Sequence, residues 1–202
     1  MKLSIYDFDG TFVNIQTVPM IFNVWDDLAL DKTLSKRYYR QIKWWYLMHK
    51  LKLGWSKETF RKNAMALMVE LLNHLNDIRR KLFAEAFYRS CQPHIATDLQ
   101  QKLKIDHNDG YHCILLSGNF EELLEPFKVE GFDDVIGSKT EINGQKLNFS
   151  NIEIIINEKK IDAICSIYKE HDITHMKAYA DSGYDLSLLL YVNEPYAYRP
   201  DK

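Results

Sequence analysis

From Pro93 onward, short apolar runs alternate with longer helix-like stretches, and this alternation restricts the chain to few architectures. A helix is expected at 95–107. The turn Asn108-Asp109-Gly110 then leads into the apolar run His112-Cys113-Ile114-Leu115-Leu116. A helix at 120–129 and strands near 133–137 and 152–156 follow. Beyond them come a helix at 159–171, a strand at 176–180, a helix at 184–191 and a strand near 196–198. Residues 2–7 add a further short strand that ends in an acidic turn. Strands separated by helices pair in parallel through right-handed crossovers.

The segment between the first strand and Pro93 has a different texture. From Pro19 to Cys91 the pattern is helical, with runs such as Met65-Ala66-Leu67-Met68-Val69-Glu70-Leu71-Leu72 that contain neither Pro nor Gly. About four helices are expected, with Pro19 in a first turn and Gly54 and Ser56 ending one helix and capping the next. Charge shifts as well: Lys32 to Lys62 holds ten basic residues and one acid, Glu58, within a chain of net charge −2. Such a break marks a separate structural unit. The expected fold class is α/β: a Rossmann-like, doubly wound parallel sheet core built from 1–13 and 94–202, with an inserted α-helical cap at 14–93.

A net charge of −2 over 202 residues argues against a nucleic-acid binder. Cys91, Cys113 and Cys165 are sparse and unpaired in spacing, so each is expected as a buried small hydrophobe in a reducing compartment. The seven histidines show no ligand spacing and are read as structural or exposed. No signal peptide and no transmembrane helix are expected, which suggests a cytoplasmic protein.

In a parallel sheet, ligands bind beyond the carboxyl ends of the strands. Asp7 and Asp9 follow the first strand, Ser117-Gly118-Asn119 the apolar run, and Asp181 and Asp185 the strand at 176–180; Lys160 opens the helix before that strand. These residue types suit phosphoryl transfer, which needs a nucleophile, a proton shuttle and charge neutralisation. A carboxylate at Asp7 can attack phosphorus, and Asp9 can protonate the leaving oxygen and then activate water. Asp7, Asp181, Asp185 and a main-chain carbonyl offer the hard oxygen donors that Mg2+ prefers. Ser117 can donate to a phosphate oxygen, and the amides of Gly118 and Asn119, at an expected helix N-terminus, suit an anion. Lys160 adds a point charge, with Lys159 as its competitor; the neighbouring apolar Ile161 favours Lys160.

The order of these segments resembles the haloacid dehalogenase superfamily. Asp7-Phe8-Asp9-Gly10-Thr11 resembles its first motif and Ile114-Leu115-Leu116-Ser117-Gly118 its second. Asn157-Glu158-Lys159-Lys160-Ile161 is similar to its lysine motif, and Ala178-Tyr179-Ala180-Asp181-Ser182-Gly183-Tyr184-Asp185-Leu186 to its acidic fourth motif. The insertion after the first motif and the tail Val192–Asp201 resemble the phosphoserine-phosphatase-like branch. The resemblance implies a Mg2+-dependent phosphohydrolase with Asp7 as nucleophile and Asp9 as acid/base. Thr11, Ser117, Gly118, Asn119 and Lys160 would serve the phosphate site, and Asp7, Asp9, Asp181 and Asp185 the metal. The second acid implies phosphatase rather than dehalogenase chemistry. Phe12 stands where the family has Leu, and Ala180 where it has Gly.

The insertion sets the substrate in such folds. Here it reads Lys36-Arg37-Tyr38-Tyr39-Arg40-Gln41-Ile42-Lys43-Trp44-Trp45-Tyr46-Leu47-Met48-His49-Lys50. Basic residues interleaved with aromatics suit an anionic membrane surface or a large anionic substrate, and equally a cap core with a solvated basic face. Phosphoserine phosphatases carry a glutamate nine residues after the nucleophile to meet the substrate ammonium; that position is Gln16. The expected substrate is therefore a phosphorylated small molecule or lipid. The long aromatic-basic insertion resembles that of the phosphatidylglycerophosphate phosphatases of the same branch, which makes phosphatidylglycerophosphate one candidate, with a phosphoserine-like metabolite the alternative. A non-catalytic module docking on a membrane or partner is the reading from a different class.

Overall fold

The computed structural model describes residues 1–54, 56–143, 146–148 and 154–198. Five strands form one parallel sheet: β1 (Lys2–Asp7), β2 (Tyr111–Phe120), β3 (Asp134–Ser138), β6 (His175–Ala180) and β7 (Glu194–Ala197), in the order β3-β2-β1-β6-β7. Two shorter strands, β4 (Glu141–Asn143) and β5 (Lys146–Asn148), pair antiparallel as a separate hairpin. The helices are α1 (Thr17–Asp27), α2 (Lys32–Lys50), α3 (Lys57–Leu72), α4 (Asp77–Cys91), α5 (Thr97–Asn108), α6 (Glu121–Leu124), α7 (Glu158–Ile167) and α8 (Leu186–Tyr191). This is the expected α/β, Rossmann-like, doubly wound arrangement. The chain winds outward from β1 through β2 to β3, then returns to the other side of β1 for β6 and β7.

Two compact units result: Met1–Thr17, Ala84–Lys139 and Glu153–Lys202 form the first, and Val18–Phe83 with Thr140–Ile152 the second. The second unit thus takes in the β4–β5 hairpin, which the sequence pattern assigns to the core. The physical reason is local: the Asn73 side chain pairs twice with the Leu147 backbone, donating to its carbonyl at 2.9 Å and accepting its N–H at 2.7 Å. Residues 14–17 and 84–93 belong to the first unit instead.

In the second unit the cap residues behave as their chemistry dictates. Asp31 accepts the N–H groups of Thr33 and Leu34 at the start of α2, and Ser56 accepts that of Thr59 at the start of α3. Gly54 takes a positive φ of 76° between them. Met65, Met68, Leu71 and Leu72 of α3 are buried, and the Trp25 and Phe83 rings pack at a tilt with centres 6.1 Å apart.

In the first unit, alternation along β1 sends Leu3 and Ile5 to one face, where they pack with Ile114, Leu116, Ala178 and residues of α7 and α8. Ser4 and Tyr6 face the opposite way and meet a buried ion pair. Both hydroxyls donate to Asp106 Oδ2, at 2.5 and 2.6 Å, and Lys177 Nζ donates to Asp106 Oδ1 at 2.5 Å. The Lys177 ammonium also lies 3.7 Å from the centre of the Tyr111 ring. Removing one partner leaves the other charge buried and unpaired. Asp106→Ala is therefore expected to cost about 3–5 kcal/mol in a urea unfolding curve, whereas a surface acid such as Asp109 changed to Ala should cost less than about 0.5 kcal/mol.

Several local expectations need correction. The strand at 152–156 does not form over 154–156, which carry no regular structure, and Ile152 and Glu153 lie outside the described residues, as do Arg199–Asp201 of the tail. The helix at 120–129 is one α turn followed by a 3-10 segment at Glu125–Glu130, because Pro126 lacks the donor a continuing α-helix needs. Cys91 and Cys113 are buried, and burial pushes both thiols up to about 12. Cys165 is exposed on α7, contrary to expectation. No helix among the described residues is long and apolar enough to cross a membrane.

Candidate active site

Asp7 is the last residue of β1 and Asp181 the first beyond β6, its direct neighbour in the sheet. The chain turns tightly after β1: Phe12 N–H donates to the Asp7 carbonyl at 3.0 Å and Val13 N–H to that of Phe8 at 3.0 Å. Gly10 takes φ +77° in this turn, and a Cβ there would fall 2.5 Å from Asp181 Oδ2, so the loop admits Asp181 by having no side chain at that point. Phe12, in the place of the resembling family's Leu, fills an aromatic cluster with Phe132 (4.8 Å) and Tyr6 (6.2 Å).

Three carboxylates converge here. One oxygen each from Asp7, Asp181 and Asp185 lies within 4.8 Å of the others. Lys160, at the start of α7 and 3% exposed, donates to Asp7 Oδ1 at 2.6 Å and also bonds Asp185 Oδ1. Lys159 is exposed, so of the two competing lysines it is Lys160 that meets the carboxylates. Ser182 donates to Asp185 Oδ2 at 2.5 Å, and Thr11 to Asp7 Oδ2 at 3.3 Å. Among the described residues, Asp181 Oδ1 is the buried side-chain polar atom without a hydrogen-bond partner.

Electrostatics follow from this crowding. Burial pushes the Asp7 carboxyl up to about 7; Lys160 opposes the shift, and the charges of Asp185 and Asp9 add to it. Asp181 is also raised, by burial first and then by Asp185. Burial disfavours the Lys160 ammonium, but Asp7 and Asp185 outweigh it and hold the ammonium above its usual range. Three acids against one lysine leave an excess of negative charge. An unpaired buried carboxylate oxygen at Asp181 is the kind of donor a divalent cation satisfies, so the residues present fit a hard metal ion.

Asp9 stands apart from this cluster. Its Oδ1 accepts both the N–H (2.8 Å) and the hydroxyl (2.6 Å) of Thr17, the first residue of α1, and its Oδ2 accepts from Asn119 Nδ2 at 2.6 Å. Thr17 and Ser182 were not singled out from the sequence. The available signal for Thr17 was its place two residues before Pro19, at a helix start.

Ser117, Gly118 and Asn119 do not sit at a helix N-terminus as expected. They lie inside β2, which runs to Phe120. The β2–β3 register advances four residues on β2, from Leu116 to Phe120, against two on β3, from Ile136 to Ser138. This bulge re-aims the three residues. The Asn119 N–H is occupied by Ser117 Oγ at 3.2 Å, which removes it as an anion donor. Its side chain instead donates to Asp9, to Thr17 Oγ1 (2.8 Å) and to Ser117 Oγ (3.2 Å). Gly137 opposite the bulge is obligatory, since a Cβ would lie 2.6 Å from the Glu121 nitrogen. A second grouping, His107, Cys113 and Asp133, also comes within 4.8 Å. Its atoms are engaged locally: the His107 ring with the Gly131 carbonyl, and Asp133 with the Cys113 N–H at 2.7 Å.

The sequence from residue 5 to 190 matches the family model for haloacid dehalogenase-like hydrolases. No curated protein sequence matches the chain. Among solved structures, a protein of unknown function from Bordetella pertussis Tohama I is 16% identical, with a TM-score of 0.78 over 96% of this chain and 88% of that one. A hydrolase of the same family from Salmonella enterica subsp. enterica serovar Typhi gives 0.64 at 14% identity, over 98% of this chain and 67% of that one. A phosphoserine phosphatase captured with a phospho-aspartyl intermediate analogue gives 0.59 at 18% identity, over 98% and 94% of the two chains.

Proposed function

Because the chain belongs to the haloacid dehalogenase-like hydrolase family, we propose that it is a magnesium-dependent phosphatase that hydrolyses a phosphate monoester through an aspartyl-phosphate. The observation that carries this reading is the convergence of buried Asp7, Lys160 and Asp185 with half-buried Asp181 at the carboxyl ends of β1 and β6, with Asp181 Oδ1 unpartnered. In this reading a carboxylate oxygen of Asp7 attacks phosphorus and the bond to the leaving oxygen breaks, while Asp9 gives that oxygen its proton. Water then attacks the aspartyl-phosphate, Asp9 takes a proton from it, and Asp7 and inorganic phosphate are released. Thr17 and Asn119 hold the Asp9 carboxylate for both transfers. Those bonds suit Asp9 to proton transfer better than to side-chain metal ligation.

Ser117, whose oxygen already accepts two N–H groups, is aimed to donate its own hydrogen to a phosphate oxygen. Gly118 belongs to the same phosphate-binding bulge. Thr11 steadies Asp7, and Lys160 links the phosphate to it. Mg2+ would be held by Asp7 and Asp181, with Asp185, already engaged by Lys160 and Ser182, as a ligand or as the group orienting metal-bound water. When bound, the ion supplies positive charge that offsets the excess of carboxylates and the incoming phosphate. The helical unit, Val18–Phe83 together with the β4–β5 hairpin, acts as the substrate-selecting cap. Gln16, in place of the glutamate expected for an ammonium group, disfavours a phosphoserine-like metabolite, and the aromatic-basic stretch at 36–50 favours a lipid-linked phosphate such as phosphatidylglycerophosphate. That substrate in turn favours a cytoplasmic protein peripheral to the inner face of a membrane.

The test is hydrolysis of an aryl phosphate and of a panel of soluble and lipid phosphates with Mg2+ and with a chelator. Turnover is expected with the metal, with at least a ~10³-fold loss in chelator. Absence of turnover on every monoester at saturating Mg2+ would remove the proposal.

A further inference from the structure

Helix α2 spans 19 residues without a single acid. Its two faces differ sharply. Ser35, Tyr38 and Ile42 are buried on one side. On the other, Arg40, Lys43, Leu47 and Lys50 recur at helical spacing and all are exposed, flanked by Trp44 and Leu51. The apolar members of this stripe are far from buried: Trp44 is 58% exposed, Leu47 46% and Leu51 58%, with Leu53 just beyond the helix at 54%. A contiguous apolar strip on a water-facing helix marks a contact surface. The positive charge along it says what kind. Two copies of this chain meeting face to face through α2 would oppose lysine to lysine, so self-association is disfavoured. Anionic lipid headgroups supply the complementary charge. Tryptophan and leucine reach the acyl boundary, and the lysine stems extend along the apolar strip with their ammonium groups in the headgroup layer. The Lys43 ammonium lies 4.4 Å from the Tyr39 ring centre, which keeps that cation at the aromatic level.

We propose that the exposed face of α2 is a docking surface for an anionic lipid bilayer, with the helix lying in the plane of the interface. The site residues of the phosphatase reading are not involved, so the surface stands whether or not the natural substrate is a lipid. It gives the lipid-substrate reading a physical place of contact.

Co-sedimentation of the whole protein with vesicles of phosphatidylcholine alone, and of phosphatidylcholine with about one third phosphatidylglycerol, tests it. Binding to the anionic vesicles is expected, weakened by 0.5 M salt, with little binding to the neutral ones. Lys43→Glu with Lys50→Glu should lower partitioning on the order of a hundredfold, and Trp44→Ser with Leu47→Ser at least about tenfold. Both variants should keep the wild-type thermal unfolding midpoint, which reports that they are folded. Equal partitioning of wild type and variants, or no partitioning of wild type, overturns the proposal. So does concentration-dependent dimerisation that is abolished by Trp44→Ser with Leu47→Ser in a protein that ignores vesicles. Vesicle binding with no turnover by the wild type would instead refute the hydrolase reading and leave the surface standing.

Discussion

Asp7→Asn is expected to lower turnover of an aryl phosphate by at least about 10⁴-fold while leaving the metal-free protein as stable as wild type or more so. The two effects separate because Asp7 does opposite things for chemistry and for folding. As nucleophile it must carry a charge and a free electron pair, and an amide has neither in useful form. As a buried group it is held in its acid form to unusually high pH, about 7, by burial and by the charges of Asp185 and Asp9. Such a group binds its proton more tightly in the folded than in the unfolded chain. Folding stability in chelator should therefore fall as pH rises from about 4 to about 7, as the unfolded chain sheds a proton that the folded one keeps. Above that window the penalty is constant. Asn carries no titrating group, so the variant should lack this contribution and gain most over wild type above pH 7. Thermal unfolding of both proteins in chelator across this range measures the difference. A wild type that becomes steadily more stable than Asp7→Asn toward pH 8 would contradict it. Stabilisation by added Mg2+ should also be smaller in the variant, since a donor is lost.

Lys160→Met carries the second large effect, this time on both quantities. Lys160 is the cation between Asp7 and Asp185, and it is 3% exposed. Methionine keeps much of the stem and removes the charge. The carboxylates then face one another without their counter-charge, a loss of about 3–5 kcal/mol that should lower the Tm by about 10 °C. Turnover should drop by at least about 10²-fold, because a preorganised positive charge beside the phosphate is gone. Added divalent cation should recover part of the Tm, since it replaces the missing charge. Lys159→Met is the control: that side chain is exposed on the same helix, and its Tm should move by less than about 2 °C. Equal effects at the two lysines would remove Lys160 from its assigned place.

The sheet was legible because its signals are local. Leu3-Ser4-Ile5-Tyr6 and Ile114-Leu115-Leu116 are largely apolar runs followed by polar residues, and each became a strand at the expected place. Helical periodicity likewise exposed the four helices between Thr17 and Cys91. The convergence of Asp7, Asp181 and Asp185 follows from strand order, since residues placed after adjacent parallel strands share one rim, and Lys160 reaches them from the start of the helix that precedes β6. What stayed hidden depends on partners distant in sequence. The Ser117–Asn119 bulge is set by Gly137 and Ser138 across the sheet, and Ser138 Oγ donates to the Gly118 carbonyl at 2.9 Å. Thr17 looks like any helix-opening threonine until Asp9 is found against it. Asp106 reads as a surface acid within a polar stretch, yet it is 1% exposed because Lys177 and two hydroxyls converge on it. The β4–β5 hairpin is tied to the helical unit by the Asn73 side chain, and no periodicity in 140–148 announces that.

The position of β1 in the middle of the sheet carries a consequence for biosynthesis. Its two neighbours, β2 and β6, begin at Tyr111 and His175. A ribosome therefore releases the innermost strand long before either flanking strand exists. Until then Leu3, Ile5 and Tyr6 have no sheet to enter, and vectorial folding of this half of the molecule cannot begin at its amino end. The chain must emerge through Asp185 before the acidic rim can assemble, so a nascent chain stalled before that point would expose a sticky, unpaired strand and offer work to holdase chaperones.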